Sequence, residues 1–375
     1  MAPHHVKKSY LVLASKWCNM RYKDDWEKSR ARLCAFWEQE IIDRCCISVI
    51  SPKRGREEEY WRLKGLPRLY GWGDGERIVQ KSRSQFEVSR FGGESFPGIW
   101  LNLGPSGHAG YFKGAEPQRD EQTVWYNPTL DDEYTNLILD KESELYQLTL
   151  ELANYYVADS GGDYFISMPD TSGNIDAMAH LRGSGNLLID LALESEELEK
   201  ALIEIERGWE AIIGEVYEIV RENNDGGSVI YWLKSWAPGL HSQLQADLSV
   251  MISKDHFKKF ILPELVAQSN FLEFPIYHFD GAEQERHLDD LLAIENLKAI
   301  QWMSVSGQKP PSAYLDVLKR IQAGGKSLLI SIYDNREVEP LLTNLSSKGL
   351  YLVLETENED ELEAVLKMAN RLTHD

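Results

Sequence analysis

Pro275-Ile-Tyr-His-Phe-Asp-Gly281, followed at nearly even intervals by Ala299-Ile-Gln-Trp302, Ser327-Leu-Leu-Ile-Ser-Ile332 and Leu350-Tyr-Leu-Val-Leu354, decides the fold. Each is a short apolar run bounded by turn residues and rich in β-branched and aromatic side chains, as a strand buried on both faces requires. Between and after them, residues 282–293, 312–323, 338–346 and 358–372 repeat apolar side chains at three- and four-residue steps, the period of a helix with one buried face. Strand and helix alternate, which is the pattern of a parallel sheet with helices over it.

Toward the amino terminus the pattern continues more loosely. Strands are predicted at 46–50, 98–101, 164–168 and 228–233, and helices at 142–158, 195–223 and 254–271. The total of eight strands predicts an α/β fold, a (β/α)8 TIM barrel, read as one domain over residues 1–375. An open doubly wound sheet is disfavoured because no Gly-x-Gly-x-x-Gly turn follows the first strand. Residues 1–45 form an N-terminal helical extension in this reading. Its helix is predicted over 22–44, where Trp26, Arg30, Leu33, Trp37 and Ile41 share a face. The polar stretch that ends near Arg90 is an insertion expected over the barrel mouth.

Composition narrows the function classes. The 60 acidic against 40 basic residues give a net charge of −20, a field that repels nucleic-acid phosphate and anionic lipid. Cys18, Cys34, Cys45 and Cys46 crowd the first part of the chain without metal-ligand spacing, which suits a reducing, cytoplasmic setting. The apolar run near residues 10–14 is too short for a signal peptide, and none approaches the ~18 residues of a membrane span. A small-molecule substrate is therefore expected.

In a barrel the informative positions lie just past each strand, where strand ends and helix N-termini face one mouth. Here these are Asn102, His108, Asp170, Asn174, Asp176, Trp236, His241, Gln245, Asp247, His278, Asp280, Gln301, Trp302, Tyr333, Asp334 and Glu355. The sharpest pair is His278 and Asp280, two residues apart and so on one side of an extended chain. An imidazole beside a carboxylate can bind a divalent metal or act as an acid–base pair, although Asp280 can also simply cap the helix that follows. Asp247 joins them as a candidate catalytic group. Asp170, Asp176, Trp236, His241, Gln245, Gln301, Trp302 and Tyr333 are the candidate substrate-binding groups. Of the pocket-sized aromatics Trp61, Trp72, Trp100, Trp125, Trp232, Trp236 and Trp302, only Trp236 and Trp302 stand out by strand-end position.

The stretches His278-Phe-Asp-Gly281, His287-Leu-Asp-Asp-Leu-Leu292, Leu297-Lys-Ala-Ile-Gln-Trp302, Gly173-Asn-Ile-Asp-Ala-Met-Ala-His-Leu-Arg-Gly183, Asp247-Leu-Ser-Val-Met-Ile-Ser253 and Phe260-Ile-Leu-Pro263 resemble the uroporphyrinogen decarboxylase-like superfamily. The resemblance covers 162–371 well and implies the barrel. Its decarboxylase branch implies an arginine-rich motif near the amino terminus, of which Met20-Arg-Tyr-Lys-Asp24 is a faint echo. Its corrinoid-dependent methyltransferase branch implies a zinc site with a His-x-Cys pair at the fifth strand and a Cys near the last. Here His278 matches the first ligand, Asp280 stands at the second, and Glu355 is the nearest third.

The expectation is thus one-carbon transfer involving a thiol or a corrinoid carrier, with zinc at His278, Asp280 and Glu355 and the corrinoid supplied by a partner protein. A lyase acting on a carboxylated tetrapyrrole-like substrate is the alternative, followed by a protein that binds a corrinoid or tetrapyrrole without turnover. A homodimer is compatible with each.

Overall fold

The computed structural model describes residues 20–105 and 107–375. The readings of Cys18 and of residues 1–14 lie outside them, and only 20–45 of the expected extension is described. The strands are β1 (Cys46–Pro52), β2 (Ser89–Gly93), β3 (Gly98–Ile99), β4 (Glu116–Arg119), β5 (Val124–Asn127), β6 (Phe165–Ile166), β7 (Ser228–Ile230), β8 (Ser235–Ala237), β9 (Gln243–Leu244), β10 (Ile276–Asp280), β11 (Ala299–Met303), β12 (Ser327–Ile332) and β13 (Leu350–Glu355). All eight expected strands are present in some form, and the last four fall within two residues of their predicted bounds.

Their pairing makes a seven-stranded sheet in the order β2-β1-β13-β12-β11-β10-β9, parallel except for β2. β3 and β6 form a separate parallel pair, and a single bridge from Ser167 to Val229 carries the order on to β7. The fold is mixed α/β and like a TIM barrel, but among the described residues no continuous backbone ladder closes the ring. The reasons are local. β2, missed by the sequence reading, takes the free edge of β1, and its last residue Gly93 has φ 59° where a side chain would strike the Ile47 carbonyl.

β7 breaks off after three residues and folds back antiparallel as β8. Side chains splice the gaps. Asn224 imitates a neighbouring strand, accepting from the Ile166 amide at 2.9 Å and donating to the Ile166 carbonyl at 2.7 Å. Ser228 Oγ ties β7 to the segment entering β9 through the Gly239 carbonyl at 2.8 Å and the His241 amide at 2.7 Å.

The amino-terminal helix, Trp26–Trp37, is shorter than predicted because the chain turns at Gln39 (φ 56°). It lies across the amino-terminal ends of the strands. Trp26 packs edge-on against Phe165 and Trp236, Trp37 Nε1 donates to the Trp236 carbonyl at 2.9 Å, and the Ser327 hydroxyl donates to the Phe36 carbonyl at 2.8 Å. Trp26, Phe36, Trp37, Phe165 and Trp236 share an apolar cluster with Cys46, Ile276, Ala299 and Tyr351, from the beginnings of four strands. One end of the sheet is therefore sealed, and the carboxyl-terminal end is left for chemistry.

The insertion after β1 is helical rather than loop. It holds the helices Glu57–Lys64 and Gly75–Val88, the second capped by the Asp74 carboxylate accepting from the Arg77 amide at 3.0 Å. A second insertion, between β3 and β6, carries the β4–β5 hairpin and the helix Glu144–Ser160. No helix among the described residues is long and apolar enough to cross a membrane.

Candidate active site

The parallel register of β10 and β11 sets Gln301 opposite His278, and this pairing fixes the imidazole. Gln301 Nε2 donates to the Trp302 carbonyl and to Ser331 Oγ, both at 3.2 Å. A carbonyl can only accept, so the amide nitrogen faces that way and Oε1 faces His278. Oε1 in turn can only accept, so His278 Nδ1 carries the proton and donates to it. The lone pair of Nε2 is left pointing outward, 3.8 Å from Asp280 Oδ1. Trp232 meets the ring edge-on at 5.0 Å and limits its tilt.

Asp247 supplies the third group. Ligand atoms of Asp247, His278 and Asp280 lie within 4.8 Å of one another. Asp247 begins a short 3-10 helix, Asp247–Met251, whose first amides are bound by Asp176: Oδ2 accepts from Asp247 N at 3.0 Å and Oδ1 from Leu248 N at 2.9 Å. Asp176 sits in the first turn of the helix Asn174–Arg182, which approaches so closely that a side chain at Gly173 would collide with the Gln245 carbonyl. Gln245 Nε2 donates to Asp247 Oδ2 at 2.6 Å, while Asp247 Oδ1 is buried without a hydrogen-bond partner.

These groups line a cavity of about 770 Å3 together with Asp170, Arg68, Trp100, His180 and Met303. Burial pushes the Asp170 carboxyl up to about 6, against the opposing pull of Arg68. Burial, followed by the neighbouring Asp247 charge, raises Asp176, and burial likewise raises Asp247 despite His278 and Gln245. Asp247, His278 and Asp280 thus bring an outward nitrogen lone pair and an orphaned carboxylate oxygen together, with Asp170 and Asp176 lining the same cavity.

Of the expected site residues, His278, Asp280, Asp247, Asp176, Asp170 and Gln245 converge here, and Gln301 acts from behind the imidazole. Five do not join them. Glu355 ends β13, separated from β10 by β12 and β11, which strand spacing alone makes about 14 Å. Its carboxylate is taken by the Tyr60 hydroxyl and by Lys64 at 3.1 Å, so Asp247 and not Glu355 completes the set.

Trp236 and His241 are carried back to the sealed end because β8 reverses direction. The Trp236 indole donates to the Asn224 carbonyl at 2.8 Å. His241 contacts Ser235 Oγ at 2.8 Å and the Phe274 carbonyl at 2.6 Å, and burial lowers it to about 4. Trp302 alternates to the opposite face of β11 from Gln301 and stacks on Phe279 at 5.3 Å, inside the core. Tyr333 is exposed and borders a second cavity instead.

The tryptophans that line the two cavities are Trp72, Trp100 and Trp232. Sequence reasoning set them aside, and only the position of Trp232 just past β7 carried a signal. Arg68 and His180 were missed altogether.

A comparison with protein-family models finds none that matches this chain, and a comparison with curated proteins finds no relative. Among solved structures the chain is similar to a methyltransferase from Methanosarcina mazei, with 13% identity and a TM-score of 0.62 over 92% of this chain and 98% of that one. At that identity the likeness is one of fold: the chain shares, over nearly its whole length, the architecture of that methyltransferase.

Proposed function

We propose that Asp247, His278 and Asp280 hold a divalent cation, and that the protein is an enzyme of one-carbon transfer. The observation that carries this reading is the convergence of the three side chains with the Nε2 lone pair and Asp247 Oδ1 both unspent. One imidazole nitrogen and two carboxylate oxygens suit zinc with coordination positions left open, the usual form of a catalytic site. When bound, the cation supplies a Lewis acid that acidifies a thiol or water.

The chain's own residues do the rest. Gln301 holds the imidazole in the tautomer that presents Nε2 to the cavity, and Asp176 holds the backbone from which Asp247 projects. Asp170, whose carboxyl burial raises toward neutrality, is suited to take the proton that a thiol gives up before it attacks a methyl carbon. In that transfer the sulfur–carbon bond forms as the donor–carbon bond breaks, and the electron pair stays on the donor. The shared fold with a methyltransferase supports the reaction class, and a small corrinoid protein docking at the open end is the partner this chemistry calls for.

The test is zinc titration by calorimetry on protein dialysed free of metal, followed by a methyl-transfer assay. One zinc per chain is expected, with Asp247→Asn and His278→Ala each weakening it by at least about tenfold. Zinc-loaded protein with methylcobalamin and a thiol should then show the absorbance change of demethylation. Stoichiometric zinc without turnover sinks methyl transfer alone, and failure to bind zinc sinks the reading entirely.

A further inference from the structure

The second cavity, of about 750 Å3, opens at the same end of the sheet, against the tips of β1, β3, β12 and β13. It meets the first across Arg68, Trp100 and Trp232, which line both. Its charge is the reverse. Lys64, Arg68, Lys81 and Lys234 line it, and among the described residues Glu355 is its only lining carboxylate, in a chain where 60 acidic residues outnumber 40 basic ones. Glu355 is already engaged by Lys64 and Tyr60.

The other three cations make no ion pair among the described residues and rest on ring faces: Arg68 over Trp100 at 5.4 Å, Lys81 over Tyr70 at 5.5 Å and Lys234 over Tyr231 at 3.4 Å. A ring face is a weak substitute for a counter-ion. Lys234 is also held at φ 56°, a backbone region that side chains avoid, with the Tyr351 hydroxyl donating to its carbonyl at 2.6 Å. Burial, then the charge of Lys64, pushes its ammonium down to about 7, and the same two causes lower Lys81. Collecting like charges in a partly dry, aromatic-walled space costs stability unless an anion completes it.

We propose that this cavity is a binding site for a planar anion, its conjugated body against Trp100, Trp232 and Tyr231 and its carboxylate or phosphate at Lys81 and Lys234. The sequence concealed the site because its cations come from two insertion helices, the loop between them and the turn after β7, far apart in the chain. The proposal is independent of the cation centre, since none of its charged residues belongs to the Asp247, His278 and Asp280 set.

The test is calorimetric titration, in metal-free buffer, with 2-naphthoate, 2-naphthyl phosphate and the neutral 2-naphthamide. At least one anion should bind one per chain and at least about tenfold more tightly than the amide, as a charge-assisted contact implies. A preference for naphthoate assigns a carboxylated ligand, and a preference for naphthyl phosphate assigns a phosphorylated one. Lys81→Met and Lys234→Met should each weaken the anion about tenfold and leave the amide unchanged. Lys81 lies on the partly exposed helix Gly75–Val88, so its variant keeps the test sound if Lys234→Met perturbs folding. Equal affinity for amide and anions, no binding of either anion, or anion binding indifferent to Lys81→Met overturns the proposal.

Discussion

Replacing Gln301 by Leu tests the argument about the imidazole most directly, because it removes one amide and leaves every candidate ligand in place. Gln301 accepts from His278 Nδ1 and donates to Trp302 O and Ser331 Oγ. Three bonds of about 1 kcal/mol each are lost, and a leucine fully buried in their place restores part of that. The stranded Nδ1–H is a buried donor, which costs about 1–3 kcal/mol if it stays unpaired. A net loss of about 2–3 kcal/mol is expected, visible as a lower midpoint in urea unfolding.

The functional effect is separate. Without its acceptor the ring is free to rotate and to exchange tautomers, so zinc affinity should fall by about 10–100-fold, or about 1.4–2.7 kcal/mol. Gln301→Glu is the informative partner, since a carboxylate still accepts from Nδ1–H and should restore binding to near the wild-type value. Calorimetry on both variants settles it. If Gln301→Leu is folded and binds zinc within twofold of the unaltered protein, the tautomer argument is refuted, even if His278 proves to be a ligand.

Two further outcomes follow from the packing. Gly173→Ala should force the helix Asn174–Arg182 away from Gln245, shifting Asp176 and the Asp247 backbone together; zinc affinity should drop by at least about tenfold while the far-ultraviolet circular dichroism is retained. His108 and His241 are both lowered to about 4 by burial, against an ordinary value of about 6.5 in the unfolded chain, so each contributes stability that is full above pH 6.5 and is lost as pH falls toward 4. That loss is about 2 kcal/mol per histidine at pH 5, and His241→Gln should flatten the pH dependence of urea unfolding between 7 and 5; an unchanged slope would count against the assignment.

The latter half of the fold is legible in the sequence because β10 to β13 are continuous apolar runs, each followed closely by a helix of clear period. The first half is not, since β3 and β6 have two residues each and their pair is joined onward only through Asn224 and the Ser167–Val229 bridge among the described residues. Those are contacts that no local pattern announces. The site divides the same way. His278, Asp280 and Asp247 declare themselves by standing at or close to the carboxyl ends of strands, but the role of Gln301 is set by the register of two strands. Glu355 misled because position along the chain does not give position around the sheet. Trp236 and His241 misled because a hairpin reversal at Lys234 sends them to the sealed end.

That seal also shapes how the molecule is made. The helix Trp26–Trp37 is synthesised well before its resting place, which is built from Trp236, Phe274, Ser327 and Tyr351 far along the chain. Such long sequence separations slow folding, because the chain must close large loops before the contacts repay them. Two tryptophans and a phenylalanine must wait in solvent until the carboxyl-terminal strands emerge, which makes the nascent chain, rather than the finished protein, the form most exposed to aggregation.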